Sequence, residues 1–190
     1  KKCVNSNQYP ASTIEFKHTR DRKEASYINF NASGICDGCV QADIKHNKID
    51  WKKREKDLIK LLDKYRRNDG SYDCLVPGSG GKDSAYAAHL LKYKYNMNPL
   101  TVTWPPIMYT DYGKKNFDKW LEVGGFDNIV LKPNPKTMKL ITRLAIENLL
   151  HPFQTFILGQ KNLAPKIAKQ NNIDLVFYGE NEAEYGNPLA

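Results

Sequence analysis

The 190-residue chain has few cysteines and no long hydrophobic run. Four cysteines are too few for a fold held together by disulfides, which favours a reducing compartment. No apolar run approaches the roughly 18 residues of a membrane-spanning helix, and the charged start at Lys1 is not followed by the apolar core of a secretion signal. We therefore expect a cytoplasmic protein without a membrane span. Because the first residue is not Met, we also expect residues to precede Lys1.

An excess of acidic residues is also lacking, and the basic residues are unevenly spread. The chain has 29 Lys and Arg against 21 Asp and Glu, and residues 1–70 hold 16 of the basic residues against 10 of the acidic ones. This part of the chain fits either a phosphate-rich partner or a helix with a solvated basic face. Hydrophobic residues make up 41% of the chain, which predicts one globular domain with a small appendage and argues against disorder.

Three of the four cysteines lie in the first 40 residues, and two of them form a Cys-x-x-Cys pair. Cys36 and Cys39 have the spacing of a zinc knuckle, and Cys3 is a natural third ligand. A structural zinc site needs four ligands, and the fourth we expect is a Cys upstream of the first residue, with His18 and His46 as alternatives. A segment this short, with few large apolar residues, needs a bound metal or a similar cross-link to hold its fold. Zn²⁺ is therefore a predicted cofactor.

The pattern of apolar residues divides the chain into three parts. We predict a zinc-knuckle module over 1–49, a linking helix over 50–70 with Asp50 as its N-cap and Gly70 as its stop, and an α/β domain over 71–190. In that domain, strands are predicted at 72–76, 100–104, 128–131 and 174–178, and helices at 84–95, 114–123, 135–150 and 152–171.

Strands that alternate with helices predict a doubly wound parallel sheet covered on both faces, because each βαβ crossover is right-handed. In the strand order 3-2-1-4, the first and last strands are neighbours. Ligands bind such a sheet outside the carboxyl ends of its strands, at the point where the strand order reverses. The loops that follow the first and last strands are therefore the candidate site.

The loop after the first predicted strand carries the strongest chemical signal. It reads Pro77-Gly-Ser-Gly-Gly-Lys-Asp-Ser84 and leads directly into a helix. Its glycines let successive N–H groups face an anion, its two serines add hydroxyl groups, and Lys82 adds a charge. Val76 and Asp83 stand where a Walker A loop requires Gly and then Ser or Thr, and Asp83 also breaks the dinucleotide-binding fingerprint. The loop is thus predicted to be a phosphate cradle of another class.

Ser79 to Ser84 resembles the pyrophosphate loop, S-G-G-x-D-S, of the ATP-pyrophosphatase (PP-loop) superfamily. The resemblance implies ATP and Mg²⁺ as cofactors, cleavage of ATP between its α- and β-phosphates, and transfer of AMP to a carbonyl oxygen. It implies a catalytic and Mg²⁺-associated role for Asp83 and a catalytic role for Lys82 at the rim of the loop. The implied cofactor-binding residues of the loop are Ser79, Gly80, Gly81, Lys82, Asp83 and Ser84.

A polar segment, Gly179-Glu180-Asn181-Glu182, follows the last predicted strand, and Glu184 and Tyr185 come just after it. Because this strand is expected beside the first, its loop is placed next to the phosphate cradle. Carboxylate and amide groups there suit Mg²⁺ or substrate. We predict Glu180 as a catalytic residue and Gly179 and Asn181 as cofactor-binding residues. The alternative is an acidic surface turn.

Together these motifs resemble one family of the superfamily, the N-acetyl sugar amidotransferases of bacterial lipopolysaccharide and flagellar-glycan synthesis. The family opens with C-x-x-C-V…P and F-x-x-x-G-x-C-x-x-C segments, which match Cys3-Val4 with Pro10 and the stretch 30–39. Its S-G-G-K-D-S loop and its G-E-N…E-Y-G segment match 79–84 and 179–186. The family carries one more Cys ahead of Cys3 and continues beyond its last motif, so we expect this chain to be truncated at its C-terminal end.

The resemblance implies a reaction and two kinds of partner. ATP would activate the acetamido carbonyl of a nucleotide-linked sugar, and ammonia would displace AMP to give an acetamidino group. No N-terminal Cys nucleophile of a glutaminase is evident, so ammonia is expected from separate glutaminase subunits like those of imidazole glycerol phosphate synthase. The nucleotide sugar is the expected substrate.

Two other functions fit parts of the sequence. A PP-loop enzyme that modifies tRNA, such as a thiolase, would explain the basic N-terminal part and its metal knuckle. It would need a reactive Cys near the loop, but residues 75–190 contain none, and Cys74 precedes the loop inside a predicted strand, where it is expected to be core. Nucleic acid is therefore not the expected partner. The third alternative, a non-catalytic nucleotide sensor or scaffold, is opposed by the intact loop.

Overall fold

The computed structural model describes residues 28–180, which fall into two compact units, residues 28–57 and Leu58–Glu180. Cys3, Asn181 and the polar residues after it lie outside the described residues, and the predictions made for them remain predictions. The division between the units falls inside the predicted linking helix. No helix in the described part of the chain is both long and apolar enough to cross a membrane.

The first unit is built on a tight turn and two helices. Phe30 and Cys36 form an antiparallel bridge, and the side chain of Asn31 between them accepts hydrogen bonds from the N–H groups of Ser33 and Ile35, each at 3.0 Å. Helix α1 (Asp37–Asp43) continues as a π-helical turn (Ile44–Lys48). Helix α2 (Trp51–Tyr65) then begins in this unit, and its first turn is capped as predicted, because the Asp50 carboxylate accepts from the N–H of Lys53 at 3.0 Å.

The second unit contains a parallel sheet in the predicted order. Strands β1 (Cys74–Pro77), β2 (Pro99–Thr103) and β3 (Asn128–Val130) lie side by side in that order, with Leu75 opposite Leu100 and Thr101 opposite Asn128. On the other side of β1, Val176 forms a parallel bridge with Leu75. The first and last predicted strands are therefore neighbours, as the order 3-2-1-4 requires.

The helices of the second unit follow the predicted alternation with small shifts at their ends. They are α3 (Lys82–His89, continued by a π-helical turn at Leu90–Lys94), α4 (Asp111–Gly124), α5 (Pro135–Leu149) and α6 (Gln154–Gln170). Side-chain caps explain two of the starts: the Thr110 hydroxyl accepts from the N–H of Gly113, and the Asn134 amide oxygen accepts from the N–H groups of Lys136 and Thr137.

Each face of the sheet buries its own cluster of apolar side chains. One cluster joins the sheet to α2, α3 and α4 and comprises Leu62, Cys74, Val76, Ala88, Leu91, Met97, Phe117, Trp120 and Phe126. The other joins it to α6 and comprises Leu75, Leu100, Val102, Leu163, Ala164, Ile167, Ala168 and Ile173. Both faces of the sheet are thus covered, as continuous apolar strands require.

Two predictions about element ends were wrong. The linking helix ends at Tyr65 and not at Gly70, because the N–H of Arg67 is bound by the Asp73 carboxylate at 2.5 Å instead of continuing the helix. The predicted strand at 174–178 is reduced to the bridge at Val176. Leu75 donates to the carbonyl of Leu175 and accepts from the N–H of Phe177, after which the chain turns toward α3.

Candidate functional site

The phosphate loop, residues 77–84, connects β1 to α3 at the carboxyl edge of the sheet. Its entry is held by β2: the N–H of Gly78 donates to the carbonyl of Val102 at 2.9 Å, and the Thr103 hydroxyl donates to the carbonyl of Gly78 at 2.8 Å. Its exit is Gly81, the N-cap of α3, which has extended backbone and no side chain to cap the helix. The N-terminus of α3 is therefore open to an anion, which its dipole and N–H groups attract.

Two glycines allow neighbouring backbone to approach the loop directly. Gly80 has a φ of +86°, and a Cβ there would lie 2.6 Å from the Cα of Phe117 in α4. A Cβ on Gly179 would lie 2.6 Å from the backbone nitrogen of Ser84. The loop is thus enclosed by α4 on one side and by the chain after the last strand on the other. This brings Gly179 against the loop, where the strand order predicted it.

The charged residues of the loop face solvent. Lys82 Nζ lies 2.8 Å from the Asp83 carboxylate, and the side chains are 89% and 51% exposed, so Lys82 stands at the rim as expected. An ion pair this exposed contributes little to stability, so replacing it by contacts to a ligand costs little. Glu180 is exposed and directly follows Gly179, so its backbone lies beside the loop. Asn181, the next predicted residue, is outside the described part.

Sequence reasoning missed a buried polar network between β2 and β3. The Asn128 amide donates to the hydroxyls of Thr101 at 2.8 Å and Thr103 at 3.1 Å, and Thr103 in turn holds Gly78. Both threonines are fully buried. The available signal was the pair of threonines two residues apart in a predicted strand, which places both hydroxyls on one face. Their partner could not be read from the sequence because it depends on the register of β3.

An apolar groove of about 440 Å³ starts at the same edge of the sheet and lies between the first half of α5 and most of α6. Its volume lies within the range of small-molecule sites. Trp104, next to Thr103, forms one wall, and Lys166 is its one charged lining residue among the described residues. The remaining lining residues are Leu131, Pro133, Asn134, Thr137, Met138, Ile141, Thr155, Leu158, Gly159, Asn162 and Leu163. The sequence did not predict this groove, since α5 and α6 form it only when they pack together.

The predicted zinc ligands are partly described. Cys36 is buried at the N-terminus of α1, and its sulfur accepts from the N–H of Cys39 at 3.4 Å. These two residues fit half of a tetrahedral zinc site. Cys3 is outside the described part, and residues 28–180 contain no cluster of three or more His, Cys, Asp or Glu side chains that could hold a metal. The zinc site stays a prediction.

Cys74, the other candidate thiol, lies in the core of β1. Burial, helped by the nearby Asp73 charge, raises its pKa to about 12. The thiol is therefore protonated at neutral pH and is a poor nucleophile, in keeping with its predicted place in the core.

Comparison with known proteins supports the fold. No protein-family model matches the chain. It is 35% identical over 85 residues to an uncharacterized protein of Methanocaldococcus jannaschii, a match that covers 45% of this chain and 29% of that protein. Among solved structures, an NH3-dependent NAD synthetase from Campylobacter jejuni in complex with nitrate ion is 18% identical with a TM-score of 0.52, covering 72% of this chain and 59% of that one.

A second solved structure, an NMN synthetase from Francisella tularensis, is also 18% identical, with a TM-score of 0.53 and coverage of 70% of this chain and 56% of that one. The chain therefore spans less than two thirds of the length of each of these three proteins. At this identity the likeness concerns the fold alone. The chain has an α/β fold with a parallel sheet, similar to that of the NAD and NMN synthetases.

Proposed function

We propose that this chain is the ATP-binding part of an amidotransferase that forms AMP. The observation that carries the proposal is the phosphate loop, which surrounds an uncapped helix N-terminus and lies against Gly179. A loop of this shape offers backbone N–H groups, the Ser79 and Ser84 hydroxyls and the Lys82 charge to phosphate oxygens. Beside it, Asp83 has the oxygen ligands that Mg²⁺ prefers, and a bound Mg²⁺ would offset the charge of departing pyrophosphate.

The apolar groove suits the rest of the nucleotide. Trp104 belongs to the groove and directly follows Thr103, which contacts the loop, so groove and loop are adjacent. The indole ring of Trp104 lines the groove and offers a flat apolar surface against which a base can stack. A nucleotide with its phosphates on the loop and its base in the groove would use both features.

The substrate we propose is a nucleotide-linked acetamido sugar of bacterial surface glycans. Its carbonyl oxygen attacks the α-phosphorus of ATP and pyrophosphate leaves, which gives an O-adenylated intermediate. Ammonia then adds to the activated carbon, the C–O bond breaks, and AMP leaves with the oxygen while the nitrogen loses its extra protons. The product is an acetamidino group. Glu180, beside the loop, is the proposed residue that interacts with the reacting amide or with Mg²⁺.

Ammonia is the proposed nitrogen donor. The fold is shared with an NH3-dependent NAD synthetase, which supports direct use of ammonia by this chain. A separate glutaminase, of the kind in imidazole glycerol phosphate synthase, is the proposed source. It would deliver ammonia directly to the carboxyl edge of the sheet. In bulk water at neutral pH, most ammonia is protonated to ammonium, which is not a nucleophile.

The test measures AMP formed from ATP by the full-length protein, with UDP- or CMP-linked acetamido sugars as acceptors. We expect turnover with ammonium, none with glutamine alone, and glutamine-dependent turnover once a glutaminase is added. Asp83→Ala should lower the rate on the order of a hundredfold, the scale of losing one electrostatic contact to a transition state. Asp174→Ala, an exposed carboxylate at the opposite end of the last strand segment, should leave it unchanged.

Two results would contradict the proposal. If Asp83→Ala turned over at the wild-type rate, the phosphate loop would have no role in the reaction. Incorporation of sulfur into tRNA by the purified protein would replace the sugar amidotransferase with the tRNA-modifying alternative.

A further inference from the structure

We propose that Thr103, oriented by Asn128, is a positioning residue that holds the phosphate loop in shape for its ligand. The inference rests on the proposed binding of ATP phosphates by that loop. It assigns to β2 and β3 a role in the site that neither the loop sequence nor its resemblance to a family indicates. The evidence is the direction of the hydrogen bonds that run from Asn128 to Gly78.

The direction of these bonds follows from counting protons. A threonine hydroxyl has one proton to donate. Thr101 donates its proton to the carbonyl of Asp127 at 2.7 Å, and Thr103 donates its proton to the carbonyl of Gly78 at 2.8 Å. Each hydroxyl can then only accept from Asn128, whose amide nitrogen has two N–H groups and reaches both.

The opposite orientation of the amide is unfavourable. It would turn the Asn128 oxygen toward two hydroxyl oxygens that already donate their protons to backbone carbonyls. In the described part of the chain, that amide oxygen is buried and has no hydrogen-bond partner. Buried polar atoms without partners are rare and destabilising, so the fold tolerates this one to keep both threonines bound.

The consequence for the loop is a fixed entry. Gly78 is bound to β2 through both of its backbone groups, by Val102 and by Thr103. Two residues later, Gly80 adopts its positive φ against α4. If the Thr103 hydroxyl were lost, the carbonyl of Gly78 would lose its partner and could rotate, and the phosphate-binding N–H groups downstream would no longer be aligned. A loop held in shape before binding loses less entropy when its ligand arrives.

The experiment compares two substitutions of nearly equal size in the full-length protein. Thr103→Val removes the hydroxyl that holds the loop, while Thr101→Val removes an equally buried hydroxyl that binds the same amide but does not contact the loop. The probes are inorganic pyrophosphate with Mg²⁺, ATP with Mg²⁺, and adenosine, each titrated by calorimetry, with thermal unfolding measured in parallel.

We expect Thr103→Val to weaken pyrophosphate and ATP binding roughly tenfold, the equivalent of one hydrogen bond, with adenosine affinity unchanged. Thr101→Val should lower the unfolding temperature about as much as Thr103→Val does. It should leave all three affinities within about twofold of the wild-type values. Thr103→Ser, which keeps the hydroxyl, should restore pyrophosphate affinity. If Thr103→Val does not fold, Thr103→Cys, with its weaker donor, is expected to show an intermediate loss.

Equal pyrophosphate affinities of the Thr103 and Thr101 variants would overturn the inference while leaving the proposed function intact. If the wild-type protein binds neither pyrophosphate nor ATP, the proposed function fails and the inference fails with it. The two failures are distinguished by the wild-type titration alone.

Discussion

At Gly80 the backbone has a φ of +86°, and the missing side chain leaves room for the backbone of α4. Gly81, the next residue, differs in both respects: its φ is −69°, and a Cβ added there meets no atom within 4 Å. Two adjacent glycines of one motif therefore have different physical roles. Gly80 is required by its positive φ and by its contact with the α4 backbone, whereas Gly81 leaves the N-terminus of α3 without a side-chain cap.

This difference gives a matched pair of variants. Gly80→Ala should destabilise the protein by about 2 kcal/mol or more, because a left-handed conformation and a backbone clash both oppose a Cβ. Gly81→Ala should lower the free energy of unfolding by no more than about 1 kcal/mol, since only the N-cap preference changes. Urea unfolding of the two variants measures the difference. Equal losses would mean that the loop moves away from α4 without cost.

At the scale of elements, the helices and the first three strands of the α/β domain were predicted with small errors at their ends, whereas the fourth predicted strand is only a bridge at Val176. Their positions follow from local periodicity, and the linking helix adds a predicted cap, Asp50, which is present at the start of α2. The phosphate loop was also readable, because its chemistry lies in consecutive residues. The Thr103–Asn128 pair and the apolar groove were not, because they depend on the register of β2 against β3 and on how α5 meets α6. Short-range patterns do not carry that information.

One buried carboxylate ties together the elements at the amino edge of the sheet. Asp73, just before β1, is 3% exposed and accepts from the N–H groups of Arg67 at 2.5 Å and Asn98 at 2.7 Å. Its two oxygens thus connect the residues after α2 to those before β2. The site lies at the opposite edge of the sheet.

We expect Asp73→Asn to lower the free energy of unfolding by about 1–3 kcal/mol, since an amide offers one accepting oxygen where two are needed. The affinity for pyrophosphate should not change, because no element of the loop is touched. Asp174→Asn, at an exposed position, is the control and should stay within about 0.5 kcal/mol of wild type. Loss of ligand affinity in Asp73→Asn would show that the two edges of the sheet are coupled.

At the scale of the whole molecule, the described chain consists of a small unit, residues 28–57, and a larger α/β unit, Leu58–Glu180. The larger unit has the fold that NAD and NMN synthetases share, and it holds the phosphate loop, the polar network and the groove. The smaller unit holds Cys36 and Cys39. The predicted zinc site and the proposed nucleotide site therefore involve different units, and each can be tested separately.

We expect the full-length protein to bind about one Zn²⁺ per chain, with Cys3, Cys36 and Cys39 among its ligands. Cys36→Ser should abolish zinc binding, whereas Cys74→Ser, inside β1, should not change it. Chelation should unfold the N-terminal module before the α/β domain, which limited proteolysis can follow. Metal analysis that finds no zinc, or an iron–sulfur cluster, would contradict this and favour the tRNA-modifying alternative.

The contacts of Gly80 and Gly179 also bear on whether the phosphate loop can be transplanted. Six consecutive residues spell the motif, yet its shape depends on the backbone of α4 at Phe117 and on a glycine far along the chain. A protein engineer who copied residues 79–84 alone into a foreign strand–helix junction would obtain a flexible turn. The unit that would have to be transferred is the hexapeptide together with the helix backbone that meets Gly80 and the glycine that meets the backbone of Ser84.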